Sequence, residues 1–195
     1  MILFARIISW LSSPPIILLP APFLLVDKVT QNDIYALKWA AVSYVFIGVV
    51  TLFVLAGVLL GVFPDIDVSG KKQRPVVFLF SFIMLFLYAL SVLVLKGPKV
   101  LLIASLGIAF GLVVLSIVNN WIKASVHVAT VSAFVFLTGI IYGSFYFLLA
   151  ILLIPLIAWS RVKIKKHTIP EVIMGGFLGA TLTTIFYIVA KQFLR

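Results

Sequence analysis

Charged side chains are missing from six long stretches of this 195-residue chain, at about 7–26, 39–64, 75–95, 100–122, 124–160 and 172–190. Each is at or about the roughly 20 residues that an α-helix needs to cross the hydrocarbon of a bilayer. The composition agrees: 64% of the residues are hydrophobic and 10% are charged, where a soluble domain carries roughly 25% charged residues. The fold expected is an all-α, polytopic integral membrane helix bundle. The stretch at 124–160 is too long for one crossing at about 1.5 Å per residue. It reads as two short helices broken near Tyr142, Gly143 and Ser144, which with 39–64, 75–95, 100–122 and 172–190 makes six expected spans.

A seventh segment precedes them. Pro14, Pro15, Pro20 and Pro22 interrupt it, and each removes a backbone donor, so it is expected to be kinked, re-entrant, spanning or laid in the interface. No small-x-small cleavage site followed by a polar start is visible, and the segment reads as retained. The organisation expected is therefore a proline-broken hydrophobic segment over 1–33 and a helical membrane core over 34–195.

The chain has no cysteine, which excludes disulfides, thiolate catalysis and zinc–thiolate sites. Its net charge of +10 fits either nucleic acid or anionic lipid. The cations sit at the ends of spans with no basic arm or tail, so a phosphate-bearing lipid in the bilayer is the expected partner rather than nucleic acid.

Counting crossings brings three polar segments to one face: FPDIDVSGKKQRP (63–75), NNWIKASVH (119–127) and SRVKIKKHTIPE (160–171). They hold Asp65, Asp67, Lys71, Lys72, Arg74, Lys123, Arg161, Lys163, Lys165, Lys166 and Glu171, with both histidines of the chain, His127 and His167. Such asymmetry is either an orientation signal or an anion site. The orientation signal accounts for the lysines; it does not account for both histidines and two arginines in the same segments. Arginine matches phosphate oxygens with a planar fork. Ser125 and the first N–H groups of a following helix add donors suited to an anion. Histidine serves phosphoryl transfer as nucleophile or as acid. His167 and Glu171 stand four apart, within reach of each other on a helix, and Thr168-Ile169-Pro170-Glu171 also reads as a capping box.

These residues resemble the signatures of the type 2 phosphatidic acid phosphatase superfamily, the membrane lipid phosphatases of the histidine acid phosphatase–haloperoxidase fold. Ser160-Arg161, five residues, His167, three residues and Glu171 is similar to its third signature, S-R-x5-H-x3-D. Ala124-Ser125-Val126-His127 is similar to the second, P-S-G-H, and Arg74-Pro75 to the end of the first, K-x6-R-P. Gly175, Gly176 and Gly179 suit its closely packed last helix, and the likeness covers about 64–180. The resemblance implies His167 as the phosphorylated nucleophile, Glu171 as its orienting partner and His127 as the acid for the leaving oxygen. It implies phosphate ligands at Arg74, Arg161 and Ser125, and no metal or other cofactor. Where the family has its first-signature lysine stands Asp67, so that cation is expected from Lys71, Lys72 or Lys123. Ala124, Val126 and Glu171 also depart from the family's residues.

The function expected is hydrolysis of a lipid phosphate or diphosphate, of polyprenyl or phosphatidate type, in the cell membrane. An anion or lipid transporter and an inactive phospholipid-binding relative remain as alternatives. Lys163, Lys165 and Lys166 favour a site on the cytoplasmic side. The oligomeric state has no signature in the sequence.

Overall fold

Ten α-helices follow one another along residues 1–193, the residues that this computed structural model describes. They are α1 (Ile2–Leu11), α2 (Pro14–Leu18), α3 (Pro20–Thr30), α4 (Asp33–Leu59), α5 (Arg74–Val94), α6 (Lys99–Val118), α7 (Val126–Tyr142), α8 (Ser144–Ala150), α9 (Leu153–Lys163) and α10 (Ile169–Phe193). No strand occurs among the described residues. The chain is an all-α, polytopic membrane protein. α4, α5, α6, α8 taken with α9, and α10 are each long and apolar enough to cross a bilayer. α7 is as apolar but has 17 residues, about 25 Å at 1.5 Å per residue, a little short of a hydrocarbon core about 30 Å thick. Large apolar side chains cover the outer faces of these helices. On α5, Leu79, Phe86 and Leu93 lie seven apart along one exposed stripe, an arrangement that costs free energy in water and none in lipid.

Prolines decide how the N-terminal segment breaks. Pro14 and Pro15 open α2, and Pro20 and Pro22 fall in the first turn of α3, where a missing N–H leaves no intrahelical bond unmade. The segment is thus a series of short helices, bent by 45° between α1 and the α2–α3 stretch. α3 ends on Gln31 in the left-handed region, and Asn32 then caps α4 by accepting from the Tyr35 N–H at 3.0 Å.

The chain divides into two compact units, one of Leu19–Ser116 and one of Met1–Leu18 with Ile117–Arg195. In the first, Val26, Ala36, Trp39, Tyr88, Val92 and Leu101 form a core shared by α3, α4, α5 and α6. Within it the Ser43 hydroxyl meets the Tyr88 hydroxyl at 2.7 Å and the Trp39 carbonyl at 2.7 Å, so these two buried hydroxyls are satisfied within the spans.

The second unit is built on the pairing of α7 with α10. Val128, Val131, Val135, Ile157 and Val172 make its core, with Ile8 and Ile17 from the N-terminal helices packed against it. Gly143, at φ +96°, breaks the chain between α7 and α8 where the sequence suggests a turn; a side chain there would be strained. α10 presents small residues to α7. A Cβ on Gly175 would stand 2.5 Å from the Ser125 carbonyl oxygen, and one on Gly179 2.1 Å from that of Ala129. Ser132 donates its hydroxyl to the Gly176 carbonyl at 2.8 Å. This is the close backbone approach that small-x-x-x-small patterns allow between membrane helices.

Gly179→Ala is therefore expected to lower stability by about 1–3 kcal/mol through overpacking, read as the midpoint of unfolding in detergent. The control is Gly111→Ala on α6, where a Cβ meets no described atom within 4 Å and the better helix propensity of alanine should leave stability equal or higher.

Candidate functional site

A chain reversal after α9 and two contacts across to the approach to α7 bring the residues of the second unit together. α9 ends in a Schellman motif: the Lys165 N–H donates to the Val162 carbonyl at 3.0 Å and the Lys166 N–H to the Arg161 carbonyl at 3.1 Å. Its left-handed position is filled by Lys165 at φ +59°, where glycine is usual. The reversal sets down His167 directly after it, with the His167 N–H also on the Arg161 carbonyl at 3.3 Å. Lys123, half-buried on the approach to α7, donates Nζ to the Lys166 carbonyl at 3.1 Å. A cation is favourable at that helix end.

Glu171 lies in the first turn of α10 and is bonded three ways. Its Oε2 faces His167 Nδ1 at 2.9 Å and accepts from the Thr168 N–H at 3.1 Å. Its backbone carbonyl accepts from the Ser125 N–H at 3.0 Å. The side chain therefore caps α10 and holds the imidazole at once, both readings of the sequence in one carboxylate. With the proton on Nδ1 facing the carboxylate, the lone pair of the neutral ring lies on Nε2. The carbonyl joins the first turn of α10 to the start of α7, two residues before His127.

Ser125 sits at the N-cap of α7 with no exposure to solvent. Its hydroxyl does not cap the helix, and among the described residues its Oγ has no hydrogen-bond partner. An unmet buried hydroxyl costs about 1–3 kcal/mol. It lies at the end of α7 where N–H groups and the helix dipole favour negative charge. His127, in the same first turn, is buried, as is His167.

Arg161 is 1% exposed, the largest side chain among those fully buried. It donates Nη1 to the Ser9 hydroxyl on α1. Ser160 beside it is buried and donates to the Ile157 carbonyl at 2.9 Å. Ser9 belongs to no motif of the sequence. Its only sequence signal is that Ser9, Ser12 and Ser13 interrupt an otherwise apolar run.

The structure thus gathers His167, Glu171, Ser125, Lys123 and Arg161 with His127 around the starts of α7 and α10 and the end of α9. Arg74, Lys71 and Lys72 belong to the other compact unit. There Arg74 is buried at the start of α5, with Nε donating to the Val68 carbonyl at 3.3 Å. Lys71 and Lys72 are exposed. Asp65 organises the same loop: its Oδ1 accepts from the Asp67 N–H at 2.9 Å and from the Ser69 hydroxyl at 3.1 Å. Val68 follows in the left-handed region at φ +47°, a strained place for a β-branched residue. Among the described residues no three His, Asp or Glu side chains are placed to hold a metal ion. Comparison of the chain with family models, curated proteins and solved structures finds no match.

Proposed function

We propose that this protein is a membrane lipid phosphatase that works through a phosphohistidine on His167. The observation that carries the reading is Glu171, whose carboxylate holds His167 Nδ1 while its carbonyl holds the start of the helix bearing Ser125 and His127. A histidine oriented by a carboxylate, in one compact unit with a buried hydroxyl and a buried arginine, offers the kinds of group that phosphoryl transfer to an imidazole uses.

The chemistry runs in two halves. Nε2 of His167 attacks the terminal phosphorus, the bond from that phosphorus to the leaving oxygen (of the lipid alcohol in a monophosphate, of the lipid monophosphate in a diphosphate) breaks, and that oxygen takes a proton from the His127 imidazolium. Water then attacks the phosphohistidine, His127 takes back a proton, and the N–P bond breaks to release inorganic phosphate and neutral His167. Arg161, the Ser125 hydroxyl and the first N–H groups of α7 neutralise the oxygens of a transition state in which little covalent assistance is needed. The acyl or polyprenyl chain stays in the bilayer, against the apolar outer faces of the spans. The substrate class is a lipid phosphate or diphosphate.

Two measurements test this reading. Purified protein incubated with a lipid diphosphate in EDTA is expected to release phosphate, with vanadate inhibiting, and His167→Ala and His127→Ala are each expected to abolish release. Unimpaired release by either variant removes the proposed role of that histidine. Arg161→Lys keeps the charge and loses the fork; turnover is expected to fall on the order of a hundredfold or more, and a variant as active as wild type counts against direct phosphate contact.

A further inference from the structure

As a proposed phosphate ligand, Arg161 needs its guanidinium aimed. The chain's own answer lies 152 residues away in the sequence: the Ser9 hydroxyl, which accepts from Arg161 Nη1. We infer that Ser9 is a positioning residue, carried in on the N-terminal segment, whose hydroxyl sets the direction of the Arg161 guanidinium toward a phosphate-like anion. This rests on the proposed phosphatase site and adds α1 to it.

The contact is built into the packing of α1. Ala5, Ser9 and Ser12 fall at i, i+4 and i+7 and are all buried, so α1 turns a stripe of small residues inward and lies against α9. Phe4 packs its ring on Trp159, centroids 6.2 Å apart and planes inclined by 52°. Ile8 and Ile17 reach the Val128–Val131–Val135 core. These apolar anchors lie on either side of Ser9 and hold its register against Arg161. Ser12 bonds within its own helix, its hydroxyl donating to the Ser9 carbonyl at 3.2 Å. Of these two buried serines, Ser9 alone is bonded across to α9.

The physical need is clear from the side chain. Arginine has a long, rotamer-rich stem and a planar fork whose value lies in its direction. Transition-state stabilisation depends on donors that are already aimed when charge develops. A guanidinium fixed at Nη1 has little freedom about its last bonds, so the direction of its other N–H groups is set before the anion arrives. The hydroxyl is also neutral. It orients the cation without cancelling the charge, as an aspartate at position 9 would.

The test uses the full-length protein in detergent, with phosphate release from a lipid diphosphate and vanadate inhibition as readouts. Ser9→Ala is expected to lower kcat/KM roughly ten- to a hundredfold, the range for one hydrogen bond to a charged group, and to weaken vanadate inhibition in parallel. Ser9→Thr, which keeps the hydroxyl, is expected to recover most of the loss. Ser12→Ala removes a buried hydroxyl from the same helix without touching Arg161 and should stay within about twofold of wild type. In an Arg161→Lys background, Ser9→Ala should add little, since the fork that Ser9 aims is already gone. Turnover by Ser9→Ala equal to wild type overturns the inference, and faster turnover overturns it while marking the hydroxyl as a competitor of the anion. An equal loss in Ser12→Ala overturns it as well, by showing that the effect is one of packing. Wild-type protein that neither releases phosphate nor responds to vanadate overturns the phosphatase reading itself, and this inference with it.

Discussion

The backbone of α10 touches the backbone of α7, and the rest of the second unit follows from that approach. At Gly175 and Gly179 there is no room for a Cβ beside the carbonyls of Ser125 and Ala129. In lipid, where apolar surface gains nothing by leaving the solvent, helices associate through this kind of van der Waals contact and through interhelical hydrogen bonds such as Ser132 to the Gly176 carbonyl. The same approach lets the Glu171 carbonyl take the Ser125 N–H at 3.0 Å. Two helix starts are thereby joined, each with a histidine beside it, and their dipoles bring positive potential to the place where the buried hydroxyl lies.

A buried arginine raises the stakes of that arrangement. Taking an isolated guanidinium out of water is costly, and ionisable groups in membrane proteins persist where they are paired or functional. Arg161 meets a neutral hydroxyl from α1 and supplies its own carbonyl to the reversal that positions His167. One residue therefore links the N-terminal segment, the end of α9 and the start of α10. The first eighteen residues belong to the same compact unit as both histidines, so α1 and α2 are part of the framework of the candidate site.

The sequence was most legible where a rule is local. The spans follow from charge-free runs, the break at Gly143 from a glycine between two apolar stretches, and the meeting of His167 with Glu171 from their spacing of four. The shortness of α7 was legible as well, since the run at 124–160 must hold two helices. What escaped depends on contacts far apart in the chain. A lone serine in an apolar helix has no periodic signature that marks it as the partner of an arginine 152 positions on. Lys123 could be placed near an anion by its charge, but its bond to the Lys166 carbonyl follows from how α9 ends. That ending was itself hidden, because a lysine rather than a glycine takes the left-handed position. Nothing in the sequence gives Asp65 and Asp67 a role; in the structure Asp65 holds its own loop, which carries the strained Val68 and the carbonyl that Arg74 meets.

The proposed phosphatase chemistry requires His167 as the nucleophile that takes the phosphoryl group. Protein mixed with a lipid phosphate labelled at phosphorus, quenched in base within one turnover and digested, reports where the phosphoryl group has been. The expected result is an acid-labile, base-stable label on the peptide containing His167, attached at Nε2. A label on another side chain, or phosphate release with no labelled protein at any time, contradicts it.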